Sequence, residues 1–314
     1  MAIPWTDLKN PVYSQSGWSV KDACVTFYND EFYLFFSAFY KDREKERSHI
    51  VAVKTTDWQT YSSPILHLDG REDGWTGLCS PNITKHENLF YLTYNSWGKV
   101  HANGKTNDLF CITSSDLKSW SEPIPIAPEL TSKITCIDLA ITFANDSVYA
   151  IWKQEIGKTN PGTYRPVIAK APSLKENFEF LEEKFPKLEL KNKRSKNRIY
   201  ENYQFIEINK KWHLLTTAYR PHDAVLFEMK GTGKSDQDWL YWFNGRAFDL
   251  PRQWFNFEQI CNAPFLADWR SIDGFFYLLY AGRQQAITHA GRGNNKLALA
   301  RSKDLVDWKV PPKQ

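Results

Sequence analysis

No stretch of the 314 residues approaches the roughly 20 consecutive apolar positions of a membrane-spanning helix, and the opening Met1-Ala2-Ile3-Pro4-Trp5 lacks a signal-peptide layout. No membrane partner is therefore expected, and a cytoplasmic location is. The five cysteines (24, 79, 111, 136 and 261) are odd in number and lack paired spacing. That excludes a disulfide framework and points to buried free thiols in a reducing compartment. No Cys/His spacing fits zinc. Gly231-Thr232-Gly233-Lys234 lacks the spacing of a phosphate-binding loop. A net charge of +4 is too small to imply an electrostatic partner. Residues 184–198 carry seven Lys or Arg, but Phe185 is their only aromatic. Nucleic-acid binding would want stacking rings among the charges, so no nucleic-acid partner is expected and the segment reads as a solvated connection.

What the chain has in quantity is aromatics, 15% of all residues, and they fall into a repeat. Residues 20–38 read as a buried strand, a polar turn at Asn29-Asp30-Glu31, and a second strand rich in rings. The same pattern recurs from Ser80 to Tyr94, from Asp138 to Trp152, from Glu201 to Leu215 and from Ala263 to Tyr280. A period of about 60 residues with four strand-like runs per unit is the signature of propeller blades with long loops. The expectation is an all-β chain, a five-bladed β-propeller with four antiparallel strands per blade. It occupies residues 1–314 as one domain, with blades roughly at 20–60, 78–123, 136–182, 199–245 and 261–310.

Other features read as structural. The mixed charge run at residues 41–47 reads as a solvated loop between strands. Ser114-Ser115-Asp116-Leu117-Lys118-Ser119-Trp120, echoed at Ser302-Lys303-Asp304-Leu305-Val306-Asp307-Trp308, reads as a turn nucleated by Ser and Asp side chains. Its Trp is expected to pack into the next outer strand. Residues 231–238 read as a Gly/Lys/Asp loop in the most divergent blade.

In a propeller the first strand of each blade lines the axis, so the lead positions 22, 80, 138, 201 and 263 converge on one pocket. Three of them are acids, Asp22, Asp138 and Glu201; Ser80 and Ala263 are small and precede proline. Carboxylates that share a cavity repel, so some proton affinities rise while others fall. Glycoside hydrolysis needs that division: one protonated acid at the leaving oxygen and one carboxylate on the opposite face.

These motifs resemble those of the five-bladed propeller glycosidases of glycoside hydrolase families 43 and 62. Lys21-Asp22 is similar to the blade-one base motif, Ile137-Asp138 to the blade-three acid and Tyr200-Glu201 to the blade-four acid; Ser80-Pro81-Asn82-Ile83 resembles the segment that opens blade two. The likeness spans roughly residues 18–308, with two departures: Asn202-Tyr203 stands where family 43 has Gly-Pro, and Cys261-Asn262-Ala263 replaces a blade-five His motif. The resemblance implies an inverting mechanism on arabinofuranoside- or xyloside-type substrates. In it Asp22 would be the general base, Glu201 the general acid, and Asp138 the residue that orients Glu201 and tunes it. A retaining enzyme of the family 32/68 type would use the same residues with closer carboxyls.

Loops at the same mouth supply the candidate substrate contacts Trp75, Asn82, Trp97, Lys153, Arg220, Arg283, His289 and Arg292, suited to sugars by stacking and paired hydrogen bonds. No cofactor or catalytic metal is expected. Part of family 43 holds a structural calcium ion through a central His, a motif that His289 does not match. The expected partner is an oligosaccharide or glycoside. Two other classes use the same residues: a carbohydrate-binding propeller without catalysis, and an interaction scaffold in which the acids are merely hydrated.

Overall fold

The computed structural model describes residues 3–43, 45–71, 76–98, 108–132, 134–156, 163–191, 199–219, 222–284 and 294–312. It is nearly all-β and is built from successive antiparallel meanders. The first runs β1 (Ser19–Tyr28), β2 (Glu31–Asp42), β3 (Lys45–Thr55) and β4 (Leu66–Leu68). The second runs β5 (Gly77–His86), β6 (Leu89–Trp97), β7 (Leu109–Ser114) and β8 (Ile124–Pro125), and one parallel bridge from Ser48 to Gly77 joins it to the first. The third comprises β9 (Cys136–Ala144), β10 (Ser147–Glu155), β11 (Tyr164–Ala171) and β12 (Glu179–Phe180).

After β13 (Lys187–Leu190) comes the fourth, made of β14 (Ile199–Ile208), β15 (Lys211–Tyr219), β16 (Asp223–Met229) and β17 (Tyr241–Ala247). β13 pairs in parallel with the outer edge of β17. The last meander has three strands among the described residues, β18 (Gln259–Trp269), β19 (Phe275–Arg283) and β20 (Asn295–Ser302). Its outer edge is covered instead by bridges from Tyr13 to Leu297 and from Lys309 to Arg301. The Asn10 side chain adds a pair of bonds there, donating to the Leu299 carbonyl (2.9 Å) and accepting from the Leu299 N–H (3.0 Å).

The five leading strands touch in a closed order: β1 meets β5, β5 meets β9, β9 meets β14, β14 meets β18, and β18 returns to β1. Each sheet is thereby sandwiched, which explains why the second strands read as unbroken apolar runs. In β10, Val148, Ala150 and Trp152 face the core shared with the second meander, while Tyr149 and Ile151 face the fourth. In β19, Phe276, Leu278 and Tyr280 face the fourth meander, and Tyr277, Leu279 and Ala281 face the first. All five cysteines are free and buried. Among the described residues no helix is long and apolar enough to cross a membrane.

Several local expectations change. The charge run at 41–47 is not a loop: β2 and β3 extend through it and pair Lys41 with Glu46 and Asp42 with Lys45, so alternating signs meet across a hairpin tip. The basic segment at 184–198 contributes a strand, β13, where its apolar Leu188 and Leu190 alternate with polar residues. Residues 236–239 form a short helix capped reciprocally by Ser235 and Asp238. The Ser/Asp turns form as expected, Asp116 accepting from the N–H groups of Lys118 and Ser119 at 2.8 Å. Their tryptophans, however, pack on the preceding unit: Trp120 lies edge-on to Phe35 and Trp308 beside Phe248.

Candidate active site

The site is made by a defect repeated in every leading strand. Pairing with the second strand slips after Lys21, Cys79, Ile137, Glu201 and Asn262, and resumes at Cys24, Asn82, Ala140, Gln204 and Phe265. Within each bulge one residue takes the left-handed conformation: Asp22 (φ 53°), Ser80 (56°), Asp138 (64°), Asn202 (52°) and Ala263 (47°). Asp and Asn adopt this conformation more readily than other residues with a Cβ, so three of the five choices suit the backbone as well as the chemistry. A bulge re-aims its side chain, here into the space that the five strands enclose.

The ring corrects one register. The equivalent of Asp22 and Asp138 in the fourth meander is Asn202, not Glu201. Glu201 belongs to the preceding position, alongside Lys21, Cys79, Ile137 and Asn262. The carboxylates therefore occupy two successive positions, with Asp22 and Asp138 at one and Glu201 at the other. The left-handed turn residues Asn29, Glu87, Asn145 and Asn209 each follow their bulge residue by seven positions, a count that was present in the sequence.

Asp22, Asp138 and Glu201 line one cavity of about 220 Å³, together with Lys21, Ser80, Trp97, Lys153, Asn202, Asn262, His222 and Arg283 among others. Its polar groups are closely matched. Lys153 Nζ lies 2.7 Å from Glu201 Oε2 and 3.2 Å from Asp138 Oδ2, with its side chain only 8% exposed. The ring of Tyr164 lies 5.3 Å from the same ammonium. Lys21 Nζ lies 3.1 Å from Asp22 Oδ1. The Ser80 hydroxyl donates to Asp138 Oδ1 (2.8 Å). Asn202 Nδ2 lies 3.3 Å from both Asp22 Oδ1 and Asp138 Oδ1, and its own Oδ1 accepts from the Thr217 hydroxyl (3.2 Å). Asn262 Nδ2 donates to Glu201 Oε1 at 3.4 Å. Asp22 Oδ2 is buried and makes no hydrogen bond, and Ser37 lowers the proton affinity of the Asp22 carboxyl only weakly.

These surroundings divide the carboxyls. Burial raises the Asp22 pKa, aided by the charge of Asp138, and the ammonium of Lys21 only partly opposes it. Burial pushes Glu201 upward too, but the charges of Lys153 and Lys21 and the Lys153 hydrogen bond outweigh it and hold Glu201 at about 2. Burial would strip the proton from Lys153, yet Asp138 and Glu201 together raise its pKa instead. Among the described residues no three His, Cys, Asp or Glu side chains are grouped to hold a metal ion.

Of the other expected contact residues, Trp97, Lys153 and Arg283 line the cavity. Asn82 does not; it is buried past the bulge, and its Nδ2 donates to the Tyr203 carbonyl (2.9 Å), tying the second meander to the fourth. Trp75, Arg220, His289 and Arg292 lie outside the described residues. Sequence reasoning missed Asn202, Asn262, Tyr219, His222 and Gln259 as lining residues, and did not assign Lys21 to the cavity. Only Asn202 had a readable signal, the seven-residue count to Asn209.

No protein-family model matches the chain, and no curated protein does. Solved structures share its fold. An α-L-arabinofuranosidase from Lactobacillus brevis superposes with a TM-score of 0.67 at 13% identity, over 99% of this chain and 100% of that one. A thermostable family-43 glycoside hydrolase gives 0.62 at 14% identity, over 97% and 96%. A xylan β-1,4-xylosidase from Bacillus halodurans C-125 gives 0.63 at 13% identity over 96% of this chain, which spans 56% of the length of that enzyme. The chain has the fold of these glycosidases.

Proposed function

We propose that each meander is one blade of a five-bladed propeller, four strands to a blade in plan, and that the axial cavity is the active centre of a glycoside hydrolase. The fourth strand position of the last blade is filled by the bridges from Tyr13 and Lys309. The observation that carries the functional reading is the convergence of three carboxylates from three meanders on one cavity, with two lysines setting their proton affinities apart. The mechanism proposed is inverting, with Asp22 activating water, Glu201 protonating the leaving oxygen and Asp138 orienting Glu201. Substrates are glycosides of the arabinofuranoside or xyloside type, the sugars named for two of the enzymes that share the fold.

The proton affinities add a condition. With Glu201 held at about 2, it is almost wholly ionised at pH 7 in the unliganded site. Glu201 works as the acid once the substrate parts it from Lys153, because burial, the largest influence on it, is then opposed only by the charges of Lys21 and His222. Replacing Glu201 by Gln tests this role. Hydrolysis of alkyl glycosides, which have poor leaving groups, should fall by about 10²–10⁴-fold, and activated aryl glycosides should suffer less. Full activity of the variant on the alkyl glycoside removes Glu201 from the mechanism. Proton NMR of the first-formed anomer tests inversion against retention.

One observation favours a second reading. If the Lys153–Glu201 pair persists when sugar binds, the cavity recognises carbohydrate without cleaving it. Binding of aryl glycosides by the wild-type chain with no turnover is the outcome expected of such a carbohydrate-binding propeller.

A further inference from the structure

The segment between β17 and β18 presents two aromatic rings to solvent while the residues between them are fully buried. Trp254 is 59% exposed and Phe257 61%, the two most exposed large hydrophobic side chains among the described residues. Phe255 and Asn256 between them are 0% exposed. Asn256 Oδ1 accepts from the Gln253 N–H (2.6 Å), and its Nδ2 donates to the Ile260 carbonyl (3.0 Å). Gln253 Oε1 in turn accepts from Asn10, which grips β20. Gly282 lets the segment lie down: a Cβ there would come within 2.4 Å of Asn256 Cβ. The rings are thus carried on a backbone fixed at both ends.

This backbone runs from the outer edge of the last meander to the mouth of the cavity. Glu258 N–H donates to the Arg283 carbonyl (3.1 Å), and Gln259 pairs with Arg283 in the sheet. Both Gln259 and Arg283 line the cavity. Phe257 is two residues ahead of Gln259, within about 7 Å of backbone. The Arg252 guanidinium stands 5.3 Å from the Phe257 ring, and Trp254 is held edge-on to the buried Phe255 at 77°.

We propose that Trp254 and Phe257 form an accessory sugar-binding ledge, taking units of an oligosaccharide beyond those held among the carboxylates. The proposal rests on the glycoside-binding reading of the cavity. A sugar ring offers C–H groups on its faces and hydroxyls at its edge. Exposed rings with the Arg252 guanidinium beside Phe257 meet both demands. A platform fixed before binding loses little conformational freedom when a ligand arrives. Two rings set among charges fit a narrow glycan strand; a protein partner would want a broad apolar face.

The test is calorimetry on the full chain carrying Glu201→Gln to stop turnover. Methyl glycosides are compared with tetrasaccharides of the arabino, xylo and manno series, with and without Trp254→Ala and Phe257→Ala. The affinity gained between the methyl glycoside and the tetrasaccharide should shrink by about threefold to tenfold for each alanine variant. Trp254→Tyr, which keeps an aromatic face, should retain most of the gain. If the sugars bind and the gain survives both alanine substitutions, the ledge is wrong and the cavity reading stands. If neither the methyl glycosides nor the tetrasaccharides bind the parent chain, the cavity reading fails and takes the ledge with it.

Discussion

Replacing Lys153 by Met removes the ammonium that is ion-paired with both Asp138 and Glu201 while keeping most of the side-chain volume. The 2.7 Å bond and the Lys153 charge that depress Glu201 disappear, while burial still raises it and the charges of Lys21 and His222 still lower it. The Glu201 pKa therefore rises from its depressed value, and its protonated fraction grows at every pH above that value. Breaking a buried ion pair by removing one partner costs about 3–5 kcal/mol at neutral pH. The sign follows from the direction of the shift. In the wild type the depressed Glu201 contributes stability that is present above pH 4.5 and is lost as pH falls toward 2. In the variant the two carboxyls are penalised at neutral pH and relieved by protonation. Thermal unfolding should therefore show a gap in Tm between the two proteins that is widest near pH 7 and narrows toward pH 4. Lys153→Arg should show a smaller gap throughout. A gap of constant width from pH 7 to pH 4 would refute the reasoning, since it would mean that Lys153 contributes packing alone.

Two further outcomes are expected. Asn202 combines a φ of 52° with bonds to both Asp22 and Asp138, so Asn202→Val, branched at Cβ, should strain the bulge and lower Tm, while Asn202→Asp should preserve the backbone; circular dichroism melts compare them. His49 is held near 4 mainly by burial, with His67, Arg71 and Arg47 adding to the effect and Asp69 opposing it. Its lowered pKa means the folded state resists protonation, so about 2 kcal/mol of stability, discounted for partial screening, should be lost as pH falls from 6.5 to 4. Melts of His49→Gln over that interval should be correspondingly flatter.

Much of this molecule was legible because the repeat is written in residue types that the sandwiched sheets demand. The apolar runs of β10 and β19 face different neighbours on alternate residues, so both faces had to be apolar, and the sequence says so. The bulges were harder to read. A left-handed residue in mid-strand leaves no mark when it is Ser80 or Ala263, and strand pairing alone could not tell Glu201 from Asn202. The roles of Lys21 and Lys153 were hidden for another reason. A lysine at a strand end looks like any solvated charge until the fold brings two acids from other strands against it. Phe257 and Trp254 gave no signal in a chain with so many rings, because exposure is a property of the packed loop.

The ring of bulges has a consequence for how such a site changes over time. Each of the five backbones already turns a side chain into the enclosed space, so the wall behaves as a set of equivalent sockets. Three sockets hold Asp22, Asp138 and Asn202, and two hold the small Ser80 and Ala263. Because Asp and Asn suit that conformation better than Ser or Ala, adding an acid at position 80 or 263 would relax the backbone locally even as it crowded the charge. New chemistry on this frame is limited by electrostatic company, not by architecture.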